Sequence, residues 1–256
     1  MTSTPEIWIF KTSNDLFTAA VADFAKLAAD AVQESGRFCV ALSGGSTPKG
    51  MFTLLAASSA PIPWKSIYFF WGDERHVPPT DPESNYRMAY EAMLSKVQVP
   101  PENIFRILSE EKDPELAATQ YEQTLIKFFG LTAGEFPRFD LVLLGLGPDG
   151  HTASLFPDTT ALRETKRLVV ANWVEKFKTH RITLTLPVLN NAAVVEFLVS
   201  GNEKAGIVHQ VLDGGGNQYP SQMIRPREGR LVWLLDQAAA SELSHGDQIR
   251  TTSNQR

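Results

Sequence analysis

The chain has 256 residues, 43% of them hydrophobic, a formal net charge of −5 and one cysteine, Cys39. That length permits one large domain or two small ones with a substantial core, and the acidic balance offers no basic field for nucleic acid, so an anionic ligand has to be held by local cations and backbone amides. A single cysteine excludes an internal disulfide and a cysteine-rich zinc site and fits a reducing cytoplasm; the start "MTSTPEIWIFKTSNDLF" lacks the pattern of a signal peptide, and no apolar run approaches the roughly 20 residues of a membrane helix.

Along the chain, "EIWIF" (6–10) predicts a strand and "SNDLFTAAVADFAKLAADAVQESG" (13–36) an amphipathic helix opened by Ser13 or Asn14 and closed by Gly36. "RFCVALS" (37–43) predicts a strand, "PKGMFTLLAA" (48–57) a helix, and "SIYFFWGDE" (66–74) another strand. A looser helix follows over 83–94. Asp113 and Pro114 then open a helix running to 129. "FDLVLLGLG" (139–147) has the continuous apolar character of a central strand covered on both faces. Further strands are predicted at 168–174, 180–186 and 193–201, a helix at 202–212 and a last strand at 230–236. This alternation predicts one integrated α/β domain over 1–240, with a mostly parallel sheet covered by helices, followed by a polar, frayed tail over 241–256. In such sheets ligands bind outside the carboxyl ends of the strands.

Three strand-end loops carry chemistry. In "ALSGGSTPKG" (41–50), Gly44 and Gly45 let backbone amides face a ligand, and Thr47-Pro48 reads as an N-cap with proline at the first helical position. This is the physical recipe for a phosphate cradle, although an ordinary strand-to-helix turn has the same pattern; it is not a Walker A loop. In "WGDERHVPPTDPESNYRM" (71–88), strand hydrophobics give way to Asp73, Glu74, Arg75 and His76, a solvated charged turn or a reactive strand end. In "LLGLGPDGHTASLFPDT" (143–159), Gly145, Gly147 and Gly150 match G-x-G-x-x-G, but Pro148 lies inside the match and no long helix follows. The glycines better serve to turn the chain sharply and present Asp149 and His151 over the sheet edge. The other histidines, His76, His180, His209 and His245, have no metal-ligand spacing. No metal and no cofactor are expected. Ser154 lacks a G-x-S-x-G elbow, which argues against a serine hydrolase.

Together with "RITLTLPVLNNAAVVEFLVSGNEKA" (181–205), these blocks resemble the 6-phosphogluconolactonases, in the family's order and from about Ile7 to Leu235. The resemblance implies a fold similar to glucosamine-6-phosphate deaminase and ribose-5-phosphate isomerase. It also implies a cytoplasmic carboxylic ester hydrolase of the oxidative pentose phosphate pathway, a functional neighbour of glucose-6-phosphate dehydrogenase, acting on a phosphorylated sugar lactone, with no nucleic-acid or membrane partner. The deaminases are the nearest alternative. Their pattern has a ring-opening glutamate five positions after the histidine, where this chain has Phe156, and an aromatic residue where it has Arg75. Both departures favour a lactonase.

On this resemblance, the substrate phosphate would be held by the amides of Gly44 and Gly45, the Ser46 hydroxyl, Arg181 and Lys204. His151 would be the general base, its ordinary pKa lying near working pH. Asp149 would orient the imidazole or bind a sugar hydroxyl, Asp73 is a second candidate for hydroxyl recognition, and Arg75 would stabilise the oxyanion or hold phosphate.

Overall fold

The computed structural model describes residues 4–244 and 249–251. Strand β1 (Glu6–Phe10) is followed by helix α1 (Ser13–Ser35). The cap of α1 is Thr12, one residue before the predicted start, because Thr12 and Asp15 satisfy each other's backbone amides in a capping box. Gly36 closes the helix in the left-handed conformation, φ 78°. Leu16, Ala20, Val21, Phe24 and Ala28 form its buried face, and Phe24 meets Phe38 edge to face at 5.3 Å.

Strand β2 (Phe38–Leu42) is buried throughout and leads into α2 (Ser46–Ala57). The cap of α2 is Gly45, not Thr47, so Pro48 sits in the first turn rather than at its first position. Proline carries no N–H, and an N–H at this position would find no partner within the helix in any case. Strand β3 (Ile67–Trp71) ends where a single longer strand was predicted. Gly72 is the joint: its amide donates to Leu42 at 2.9 Å and its carbonyl accepts from Leu184 at 2.8 Å. The chain thereby leaves one sheet and enters another as β4 (Asp73–Arg75). Tyr121 holds the end of β3, donating to the Trp71 carbonyl at 3.1 Å and accepting from its amide at 2.8 Å.

Helices α3 (Asn85–Ala92) and α4 (Pro114–Phe129) follow, the latter capped by Asp113 as predicted. Strand β5 (Leu141–Leu144) stops before Gly145, so the glycines of the predicted longer strand lie beyond it. Strands β6 (Val169–Val174) and β7 (Thr179–Leu184) form an antiparallel hairpin. A short α5 (Leu186–Leu189) precedes β8 (Val194–Val199). Helix α6 (Ala205–Leu212) is entered through a 3-10 turn at Asn202–Lys204, and β9 (Arg230–Asp236) closes the predicted set. Part of the segment expected to be a frayed tail forms β10 (Ile249–Thr251), paired to β1; residues 245–248 and 252–256 lie outside the described residues.

Seven strands make a parallel sheet in the order β10-β1-β9-β8-β5-β2-β3. A separate antiparallel sheet, β4-β7-β6, stands beside it. From β2 the chain moves outward to β3 and then returns to the other side of β2 as β5. The loops leaving β2 and β5 therefore diverge, which opens a crevice at the carboxyl ends of those two strands. No described helix is long and apolar enough to cross a membrane.

Candidate active site

A cleft of about 230 Å³ occupies this crevice. Its walls include Gly44, Gly45 and Ser46 after β2, Asp73 and Arg75 on β4, Gly147 and His151 after β5, and Lys204 after β8. Residues from four separated stretches of sequence are thus brought to one cavity.

Residues 145–151 do not open a helix; they form a tight turn in which Gly147 donates to the His151 carbonyl at 2.8 Å and Gly150 donates to the Gly147 carbonyl at 3.0 Å. A Cβ on Gly147 would fall inside the His151 imidazole, so the ring packs directly on backbone. His151 Nδ1 bonds the Asp149 carboxylate Oδ1 at 2.5 Å. With the proton on Nδ1, Nε2 carries a free lone pair, and no hydrogen bond to it is formed among the described residues. Phe156 stacks on the imidazole with ring centroids 4.1 Å apart. Burial pushes the His151 pKa below the ordinary histidine value, against the hydrogen bond and charge of Asp149. For Asp149, burial pushes upward, but the His151 hydrogen bond and charge, with Lys176 behind them, bring it below the usual carboxylate range.

Asp149 itself stands behind His151 and does not line the cleft; its Oδ1 is committed to the imidazole and its Oδ2 faces Lys176 at 3.4 Å. Of its two predicted roles the geometry favours orientation. Asp73 does line the cleft but is buried, its Oδ2 accepting from Ser154 Oγ at 2.6 Å and its Oδ1 lying 3.4 Å from Asn85 Nδ2. Ser154 is buried and spends its hydroxyl proton on Asp73. Glu74 turns the other way, accepting from the amides of Asn85 and Tyr86 at the start of α3. Burial raises its pKa.

Arg75 and Arg181 are direct cross-strand partners on β4 and β7. Arg75 donates to the Glu83 carbonyl at 2.8 Å and reaches the cleft. Arg181 lies one strand further out and does not line the cavity; its guanidinium sits over the Phe177 ring at 5.4 Å. Burial first, and the adjacent Arg75 charge second, hold Arg181 below the usual guanidinium range. Lys204 donates to the Leu146 carbonyl at 2.9 Å and so ties the turn before α6 to the loop after β5.

Sequence reasoning missed Asn85, which is buried and lines the cleft, donates to the Asp73 carbonyl at 3.0 Å and fills the space where a Gly44 side chain would stand. Its only sequence signal is its place beside Ser84, the cap of α3. Lys176 was also missed.

Fold and site define a class: an α/β protein with a parallel sheet, and with a glycine turn, local cations and a histidine–aspartate pair at one strand-end crevice. The family model for glucosamine-6-phosphate isomerases/6-phosphogluconolactonase matches residues 11–233. A 6-phosphogluconolactonase from Nostoc sp. is 46% identical over 216 residues, spanning 84% of this chain and 88% of the relative. The structure of 6-phosphogluconolactonase from Trypanosoma cruzi superposes with a TM-score of 0.84 at 29% identity, covering 96% of this chain and 99% of that one. A monomeric glucosamine-6-phosphate deaminase shares the fold at a TM-score of 0.76 and 22% identity, covering 92% of this chain and 99% of that one. The chain belongs to the glucosamine-6-phosphate isomerase/6-phosphogluconolactonase family.

Proposed function

We propose that the chain hydrolyses 6-phospho-D-glucono-1,5-lactone to 6-phospho-D-gluconate, with water activated by His151. The observation that carries this reading is the His151–Asp149 pair at the cleft, with no hydrogen bond to Nε2 among the described residues and Phe156, not a carboxylate, against the ring. A lactonase needs one proton acceptor for water; it needs no second carboxylate to open a hemiacetal ring.

In this scheme Nε2 takes a proton from water as the oxygen attacks lactone C1. Asp149, hydrogen-bonded at Nδ1, stabilises the imidazolium that forms. The tetrahedral oxyanion collapses, the C1–ring oxygen bond breaks, and the imidazolium returns its proton to the departing ring oxygen. The new carboxylic acid then loses its proton to solvent. Arg75 faces the cleft and is the cation available to the oxyanion or to the phosphate; Asp73 serves hydroxyl recognition. The phosphate takes the amides of Gly44 and Gly45, the Ser46 hydroxyl and Lys204, with Arg181 adding charge from behind Arg75. The enzyme would act in the cytoplasm, in the oxidative pentose phosphate pathway, on the lactone released by glucose-6-phosphate dehydrogenase.

The test generates the lactone in situ with glucose-6-phosphate dehydrogenase and follows its decay with and without the protein. Decay well above the spontaneous rate is expected; decay at the spontaneous rate overturns the reading.

A further inference from the structure

The turn joining β6 and β7 touches the histidine–aspartate pair by two routes. Lys176 Nζ lies 3.4 Å from Asp149 Oδ2, the oxygen that His151 does not use. Phe177, the next residue, meets Phe156 edge to face at 5.8 Å, and Phe156 stacks on the imidazole. Other contacts hold the turn's side chains: Arg181 packs over Phe177, and Trp173 Nε1 donates to Glu175 Oε2 at 2.8 Å.

We propose that Lys176 is a positioning residue for the catalytic pair: its ammonium engages the free Asp149 oxygen, holds the carboxylate in line with Nδ1, and keeps the imidazole in its neutral, proton-accepting form. The proposal rests on the reading of His151 as general base. The charged groups around the ring are Asp149 on its own loop, Asp73 and Arg75 on β4, Arg181 on β7, Lys204 before α6, and Lys176. The two acids favour the imidazolium, and the Lys176 charge, the weakest of these influences, opposes them. The Lys176 side chain is 56% exposed, so the effect is modest and screened by salt.

The test compares the full chain with Lys176→Met and Lys176→Arg, using the pH profile of kcat/KM and an NMR titration of the His151 ring. In Lys176→Met both the ring titration and the acid limb of the profile should move to higher pH. The expected cost is roughly threefold in kcat/KM on the acid limb, from one partly screened unit charge, shrinking toward alkaline pH. Lys176→Arg should restore the wild-type limb, and high salt should narrow the gap between wild type and Lys176→Met. If Lys176→Met leaves the ring titration where it was, the proposal falls, whatever happens to melting temperature. If the ring titration moves and the kinetic limb does not, the Lys176 contact stands and His151 as general base falls.

Discussion

His151 is fixed on three sides: Gly147 backbone under the ring, Phe156 over it and Asp149 at Nδ1. Asparagine is close in size and can keep a hydrogen bond to Asp149, but it cannot accept a proton from water at neutral pH. His151→Asn should therefore keep its melting temperature and its product affinity while kcat/KM falls by about 10²–10⁴, the usual contribution of a general base. The pH dependence carries the sign of the site. Burial lowers the pKa of His151, so the neutral base persists below the ordinary histidine value and the wild-type rate should decline only as pH falls through that lowered value. The variant should lack this limb. A histidine that merely caps a turn gives the opposite outcome, a lower melting temperature with near-normal turnover per folded molecule. Calorimetry and product titration beside the kinetic assay separate the two.

At the scale of elements, β8 carries an acid where its neighbours are apolar. Glu196 is fully buried and faces the carboxylate of Asp23 on α1, to which its protonated form can donate. Burial, with the charge of Asp23 on α1 added, raises its pKa well above the ordinary carboxylate value. A raised folded-state pKa contributes stability that is fully present below the unfolded value and is lost as pH rises through the folded one. Glu196→Gln has no proton to lose. Its melting temperature should match wild type near pH 4 and exceed it increasingly at higher pH, by about 1.4 kcal/mol of stability for each pH unit between the unfolded and folded pKa values. A difference that stays flat with pH would refute this account. How far the sequence could be read also divides by element. The parallel strands and the long helices were legible because their apolar runs and caps are local signals, and so was the gathering of Gly44, Lys204 and His151 at strand ends. The second sheet was not legible: the hydrophobic run over 66–74 continues through Gly72, and only hydrogen bonds to both Leu42 and Leu184 turn it into a joint between sheets. Asn85 and Lys176 reach the site by packing across distant segments, which no local pattern encodes.

For the whole molecule, anion recognition is distributed. In the proposed site the glycine turn follows β2, Lys204 follows β8 and Arg75, the arginine that reaches the cleft, belongs to the other sheet, so a ligand meeting all three has to span both sheets. Unphosphorylated gluconolactone should accordingly be hydrolysed with kcat/KM at least about a hundredfold lower, since each hydrogen bond to a charged group contributes about 1.5–3 kcal/mol. Equal specificity constants for the two lactones would show that these groups do not hold phosphate. Glucosamine 6-phosphate should yield no ammonia, because Phe156 supplies no carboxylate. The strand order has a further consequence, for the time course of folding. β1 lies between β9 and β10, and its Glu6 pairs with Arg230, 224 positions away. Strand β1 therefore waits unpaired until β9, more than two hundred positions further on, has been made. β2, β3, β5 and β8 can assemble before it, and closing so long a loop is slow. The crevice at β2 and β5 can thus take shape on a nascent chain whose β1 is still looking for its neighbours.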